Sequence, residues 1–381
     1  MEAKKFYSIK LWISIASFMF TLGMGLYMNI LPLYIKSIGA DATVVGTVFS
    51  LNSITRAFVT LLAGYLTHKM PRKKLFLIGW LFAIAAGLAY AFIPTTIGVA
   101  TAAILMGLSN LSPTARSSML LSLAPNLREF NKAMYTISAS FSIGFILGPP
   151  IGGYMVEYLG WKSVFLTFSG LILLGAIMLQ ITLPEVDPLP DDVKDNPFVS
   201  MWKVFIKYRY LLTIIFLAGL FSSLLRANAP LWFKDGIGMQ ERTIGTLSSL
   251  TPVASLLLSM AVTRLHAPPP YVFKTAIAGF SISSIILFIT SPISAALYYI
   301  LRGGGFILLT ISQTVMSARI KPEDMGKALG STGALLAIGS SIGLTLGGLL
   351  YDYSPYTLFV ISAILNGLLL LAPLPAAEEY R

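Results

Sequence analysis

At 381 residues, with 56% hydrophobic, 11% charged and a mean hydropathy of +0.78, the chain is too apolar for a soluble domain and has the composition of a polytopic membrane protein. It contains no cysteine, which excludes disulfides, thiol catalysis and thiolate metal sites. The net charge of +11 would suit a nucleic-acid partner, but where the charges fall argues against one.

The basic start, Met1 to Lys10, runs straight into an apolar stretch with no small-residue cleavage site, and reads as part of a retained first helix. Apolar runs of about 20 residues span a bilayer as helix. The chain holds twelve such spans, at 11–34, 43–67, 75–94, 97–120, 133–157, 162–183, 210–233, 242–264, 272–290, 293–318, 327–350 and 355–372. Most connections are short, so consecutive spans are antiparallel neighbours. The exception is 184–209, which opens acidic at Glu185, Asp187 and Asp191 and turns basic and amphipathic at Trp202, Lys203, Lys207 and Arg209. Its first part reads as a solvated linker and its second as a helix on the membrane surface.

The basic residues between spans crowd onto the side that carries both termini, whereas the other side holds only Lys36, Lys162, Lys234 and Arg242. Positive charge marks the cytoplasmic face, so a plasma-membrane protein with both termini inside is expected. Most of the net charge is then topology and contact with anionic lipid, and no nucleic-acid partner is implied.

The two halves repeat. Residues 132–165 align with 327–360 without a gap, matching Gly144, Gly148, Gly152 and Gly153 to Gly339, Gly343, Gly347 and Gly348. Leu31-Pro-Leu-Tyr-Ile-Lys36 likewise matches Ala229-Pro-Leu-Trp-Phe-Lys234. The fold class expected is all-α, two six-helix bundles in parallel repeat, with an N-terminal bundle at 1–183, a cytoplasmic linker at 184–209 and a C-terminal bundle at 210–381. Glycines at four-residue spacing let membrane helices approach closely, and the stretches at 144–153 and 339–348 read as two equivalent, hinge-like contact surfaces. Only the first carries Pro149 and Pro150.

Two motifs sharpen this organisation. Between spans 2 and 3, Gly64-Tyr-Leu-Thr-His68-Lys69-Met-Pro71-Arg72-Lys73 resembles the loop signature of the major facilitator superfamily. In span 5, Gly144-Phe-Ile-Leu-Gly148-Pro149-Pro150-Ile-Gly152-Gly153 fits that family's Gly-x-x-x-Gly-Pro-x-x-Gly-Gly pattern at every fixed position. The resemblance covers nearly the whole chain. It implies a secondary transporter working by alternating access, of the export type that carries drugs and metabolites. The loop signature's usual acid is His68 here, its second glycine is Pro71, and a further family acid at the end of span 4 is Ser122. In the family that acid helps hold the outward-facing state, so the surviving Lys69, Arg72, Lys73 and Arg116 need other partners. The family's span-4 arginine, tied to proton exchange in many exporters, falls at Ala103.

No carboxylate lies at mid-membrane depth; Glu157 and Asp352 come nearest, both at span ends away from the termini. Proton coupling is therefore expected to be weak or absent. Ionisable groups within spans are costly and are functional candidates. Arg226 and Arg302, on spans 7 and 10, are deep, and the resemblance assigns spans 1, 4, 7 and 10 to the central cavity. Without a nearby carboxylate, a carbonyl, a lipid or an anionic substrate would pair them. Arg56 fits a pocket or a snorkelling role, and Arg116, near a span end, fits snorkelling. Asn29, Asn110, Asn228 and Gln313 could orient a ligand or join helices. Tyr27, Tyr34, Phe221 and Trp232 could line the cavity or anchor at the interface. Gly303-Gly304-Gly305 lacks the lysine and strand of a phosphate loop and marks a flexible or closely packed point.

The expected function is secondary transport of small organic solutes, the expected partners being that substrate and the bilayer, with an organic-anion carrier and a non-transporting receptor on the same fold as alternatives. A monomer is expected, with no catalytic residues, metal or cofactor, since His, Cys and carboxylate clusters are missing from the spans.

Overall fold

A computed structural model describes residues 2–188, 204–317, 320 and 325–375. Its helices are α1 (Glu2–Tyr27), α2 (Leu31–Ser37), α3 (Ala42–Lys69), α4 (Arg72–Phe92), α5 (Thr96–Leu108), α6 (Leu111–Leu123) and α7 (Leu127–Thr182) in the first half. The second half holds α8 (Arg209–Ser223), α9 (Ala229–Asp235), α10 (Glu241–Ser248), α11 (Leu250–Leu265), α12 (Pro269–Ile286), α13 (Pro292–Leu301), α14 (Gly304–Ser317), α15 (Met325–Tyr353) and α16 (Pro355–Leu369). Large apolar side chains such as Leu81, Ile97, Leu174 and Leu257 face outward, as lipid contact requires.

Among the described residues, eight segments are long and apolar enough to cross a membrane. One of them, α7, makes two passages. Its 56 residues would run to about 84 Å at about 1.5 Å per residue, far beyond a bilayer core of about 30 Å. The chain breaks helical geometry at Gly160, whose φ of +76° suits glycine, and both arms return to α1. On one arm Gly144 and Gly148 meet α1 at Leu22 and Gly25, and on the other Phe168 meets Gly23. With α8–α9, α12 and α16 as the shorter passages, the spans number twelve. Of the amphipathic segment expected at Trp202, Lys203, Lys207 and Arg209, Trp202 and Lys203 lie outside the described residues, while residues 204–207 are helical with Val204 buried and Lys207 exposed.

The spans are less continuous than hydropathy suggests. Spans 1, 4, 7 and 10 each lose helical structure partway, at 28–30, 109–110, 224–228 and 302–303. A broken helix frees backbone N–H and C=O groups that lipid cannot satisfy, so such breaks survive only inside protein or beside a watery cavity.

The glycine stretches are close contact surfaces between helices. Gly144, Gly148 and Gly152 face α1, where a β-carbon at Gly152 would strike the Leu26 carbonyl. Gly339, Gly343 and Gly347 face the Phe216, Leu220 and Leu224 carbonyls of α8 and the turn that follows it. Both stripes are seams within one bundle. Gly153 and Gly348 alone of the aligned glycines reach across, to Arg242 and to Ala42 and Thr43 respectively. The α7 helix continues through Pro149 and Pro150, which cannot donate to the Phe145 and Ile146 carbonyls one turn before them.

Candidate functional site

Between the bundles lies a cavity of about 580 Å³, within the range of small-molecule sites. It is walled by the broken spans. Asn29 lies within the break in span 1, Asn110 within that in span 4, Arg226 within that in span 7 and Arg302 within that in span 10. Discontinuous helices at a repeat interface bring both side chains and freed backbone groups to one place near the bilayer midplane.

The lining is mainly apolar and, among the described residues, its ionised groups are all of one sign: Arg56 from the first bundle, Arg226 and Arg302 from the second, with no Asp or Glu. Arg226 is exposed to the cavity and lies within electrostatic range of both other arginines. Arg302 is held. One of its guanidinium nitrogens donates to the Ser222 carbonyl, and its charge sits 4.6 Å from the Phe280 ring centre and 5.6 Å from that of Tyr298. Arg56 lies on the cavity wall. Asn29 donates to the Ser248 hydroxyl at 3.0 Å, joining the two bundles, and Asn110 donates to carbonyls of its own turn.

Five of the six candidate ligand-binding residues thus share one cavity: Arg56, Asn29, Asn110, Arg226 and Arg302. Asn228 does not join them. It is wholly buried, donates to the Leu224 carbonyl and packs beside Gly347, as a residue that joins helices. Gln313 donates to the Leu329 carbonyl at 3.4 Å and is likewise outside the lining. The aromatic candidates fall elsewhere too. The Tyr34 hydroxyl donates to the Tyr90 carbonyl, and Trp232 packs on Tyr356 and Phe359. Arg116 does not snorkel. It is buried with its charge 4.9 Å from the Phe141 ring centre.

The cavity is shut at the end away from the termini by contacts that obey the sequence repeat. Asp352 accepts from the Ala42 and Thr43 backbone N–H groups at 3.0 and 2.7 Å and from the Thr43 hydroxyl at 2.6 Å, capping α3 from the opposite bundle. Its repeat partner Glu157 pairs with Arg242, the counterpart of Thr43, at 3.4 Å. Gly46 meets the Leu344 carbonyl and Gly245 the Pro149 carbonyl, again equivalent positions. Lys36 pairs with Asp235 across the same end. Contact between α3 and α15 continues inward to Ser50 and Ser341, 2.5 Å apart. Beyond that the helices part: Thr60 is exposed, and Gly330, on the cavity wall, has open space where a side chain would sit.

Replacing Asp352 with alanine removes a charge-assisted cap worth about 1.5–3 kcal/mol per bond, enough for at least a tenfold shift toward opening at this end. The chain has no cysteine, so a single Ser223→Cys reports access. Impermeant maleimide added from the closed side should label it faster in the Asp352→Ala background; equal rates would rule the cap out as a latch.

Comparison with known proteins places this architecture. The family model of the Major Facilitator Superfamily matches residues 13–301 and again 211–380. The chain belongs to that superfamily. It is a multi-pass membrane carrier working by secondary transport, and no enzyme. Multidrug resistance protein 1 of Bacillus subtilis is 24% identical over 87% of the chain and 86% of its own length. Quinolone resistance protein NorA of Staphylococcus aureus is 25% identical over 88% of each. Among solved structures, a mutant of the nucleoside transporter NupG superposes with a TM-score of 0.83 at 14% identity, over 96% of this chain and 98% of its own. The human organic anion transporter MFSD10 gives 0.69 at 14%, over 96% and 99%.

In this member of the superfamily the loop after span 2 clamps one bundle to itself. His68 and Lys69 close the last turn of α3, where positive charge suits the helix dipole, and Lys69 lies 5.9 Å from the Tyr65 ring centre. Gly64 has no heavy atom within 4 Å of where a side chain would begin. Arg72 is buried and donates to the Asp187 carbonyl at 2.7 and 2.9 Å, to the Ser118 carbonyl at 3.0 Å and to the Ser122 hydroxyl. Lys73 donates to the Gln180 and Leu183 carbonyls at 2.9 Å, capping the end of α7. Lys73 also pairs with Glu185 at 3.5 Å, so carbonyls and a carboxylate together hold these two cations. Sequence reasoning missed Tyr298, Tyr299 and Phe306 on the cavity wall. The first two lie one turn before Arg302, a helical spacing that could have signalled them.

Proposed function

We propose that this carrier exports small organic solutes bearing an anionic group, by rocking its two bundles about the central cavity. One observation carries the anionic reading: among the described residues, three arginines and no carboxylate line the cavity. A like-charged cluster in a low-dielectric site favours a ligand of opposite charge. The resistance proteins among its relatives and the span-5 pattern support the outward direction. We further propose a plasma-membrane monomer with both termini cytoplasmic, on the strength of the lysine and arginine bias, and division at a 184–209 linker. The form described above is then inward-facing. Arg56, Arg226, Arg302, Asn29 and Asn110 are proposed to contact the solute, with Gly64, His68, Lys69, Arg72, Lys73 and the glycines of span 5 serving conformation. Asn228 supports the fold.

The test is flux in liposomes of purified protein, using matched organic anions, cations and neutral solutes, with and without a pH gradient. Anions should move in preference to cations, and a pH gradient alone should not drive accumulation. Preferential flux of cations, or accumulation driven only by protons, would overturn the reading.

A further inference from the structure

We infer that this carrier is a strict anion exchanger, able to change sides only with an anion bound, and that Arg56 and Arg226 impose the exchange. The inference rests on the anionic reading above and adds what drives the cycle.

Arg56 and Arg226 stand on opposite bundles and line the same cavity. Arg226 is exposed there and lies within electrostatic range of Arg56 as well as of its own neighbour Arg302. Arg302 is already occupied by the Ser222 carbonyl and by the Phe280 and Tyr298 rings. Among the described residues, the guanidiniums of Arg56 and Arg226 have no hydrogen bond, ion pair or ring contact. Their charges cannot be switched off, because a guanidinium keeps its proton throughout the physiological range. Nor is there anything to offset them: among the described residues, no Asp, Glu or His lines the cavity.

While the cavity is open to water, repulsion between the two walls is screened. To change sides, the bundles must close around the cavity, which expels water and strengthens every charge interaction left inside. An empty cavity then sets like charges from the two moving parts against each other. An anion between them turns that repulsion into attraction for both walls. The loaded carrier therefore crosses and the empty one stalls. A proton cannot take the place of the anion, because no group on the wall accepts one. Each solute exported must be matched by an anion carried inward, and the gradient of that second anion energises export.

Liposomes holding the full chain and loaded with labelled naphthalene-2-sulfonate, which stays ionised at all working pH values, test this. Valinomycin with equal potassium on both sides holds the membrane potential at zero. Efflux is compared into unlabelled naphthalene-2-sulfonate and into sulfate, a compact dianion that a mainly apolar cavity would strip of water without replacement. Wild type should release label at least tenfold faster into the sulfonate. The ratio of the two rates is taken within each preparation, so it does not depend on how much protein is active. Arg56→Gln should reduce that ratio to about twofold, and Arg56→Lys, which keeps the charge, should hold it near the wild-type value. Equal wild-type rates into the two media would overturn strict exchange while sparing the anionic reading. An unchanged ratio in Arg56→Gln would overturn the role of the opposed arginines. No protein-dependent efflux into either medium would overturn both readings.

Discussion

Arg226→Gln together with Arg302→Gln should abolish organic-anion flux in liposomes. Each loses a charge-assisted contact worth about 1.5–3 kcal/mol, or about one to two orders of magnitude in affinity. The two single variants should differ in an instructive way. Arg226 is exposed to the cavity and lies within electrostatic range of the like-charged Arg56 and Arg302, so Arg226→Gln should not lower thermal stability. Arg302 lies on Phe280 and Tyr298 and holds the Ser222 carbonyl, so Arg302→Gln should lower stability as well as flux. A double variant that still carries anions at the wild-type rate would sink the assignment. A melting curve for each variant separates lost binding from lost folding.

The second large effect concerns the glycine seam. Gly152→Leu should prevent the N-terminal bundle from forming properly, because a β-carbon there would already strike the Leu26 carbonyl. Overpacking a tight core costs about 1–3 kcal/mol even when only side chains must give, and here backbone blocks backbone. The expected result is loss of monodisperse protein or a collapse in melting temperature. Gly64→Leu is the control, since Gly64 has open space and the same change there should fold normally. Gly153→Leu should behave differently again. Gly153 faces Arg242 of the other bundle, so that variant should fold but resist closure at the end away from the termini. Gly152→Leu protein as stable as wild type would show that α1 yields, and that the seam is looser than its geometry.

These contrasts mark what a one-dimensional reading misses. The repeat correctly paired Gly144–Gly153 with Gly339–Gly348, yet it carried no information on which neighbour each glycine meets. In the structure three of each set face their own bundle and only Gly153 and Gly348 face the other. A four-residue spacing defines a face; the rotation of the helix in its bundle decides what that face touches. Asn228 and Asn29 make the same point. Both are asparagines in equivalent spans, yet one packs on Gly347 and the other lines the cavity and bridges to Ser248.

The amino-acid order alone determined the twelve apolar spans, the doubled bundle and the cluster of deep arginines without acids, because hydropathy and charge are properties of each segment by itself. Tertiary structure alone decided where spans 1, 4, 7 and 10 break, which end is shut and that Asp352 and Glu157 form equivalent halves of the closure. Those features depend on backbone groups finding partners across helices far apart in sequence, and a free carbonyl or N–H leaves no mark on the residue that carries it.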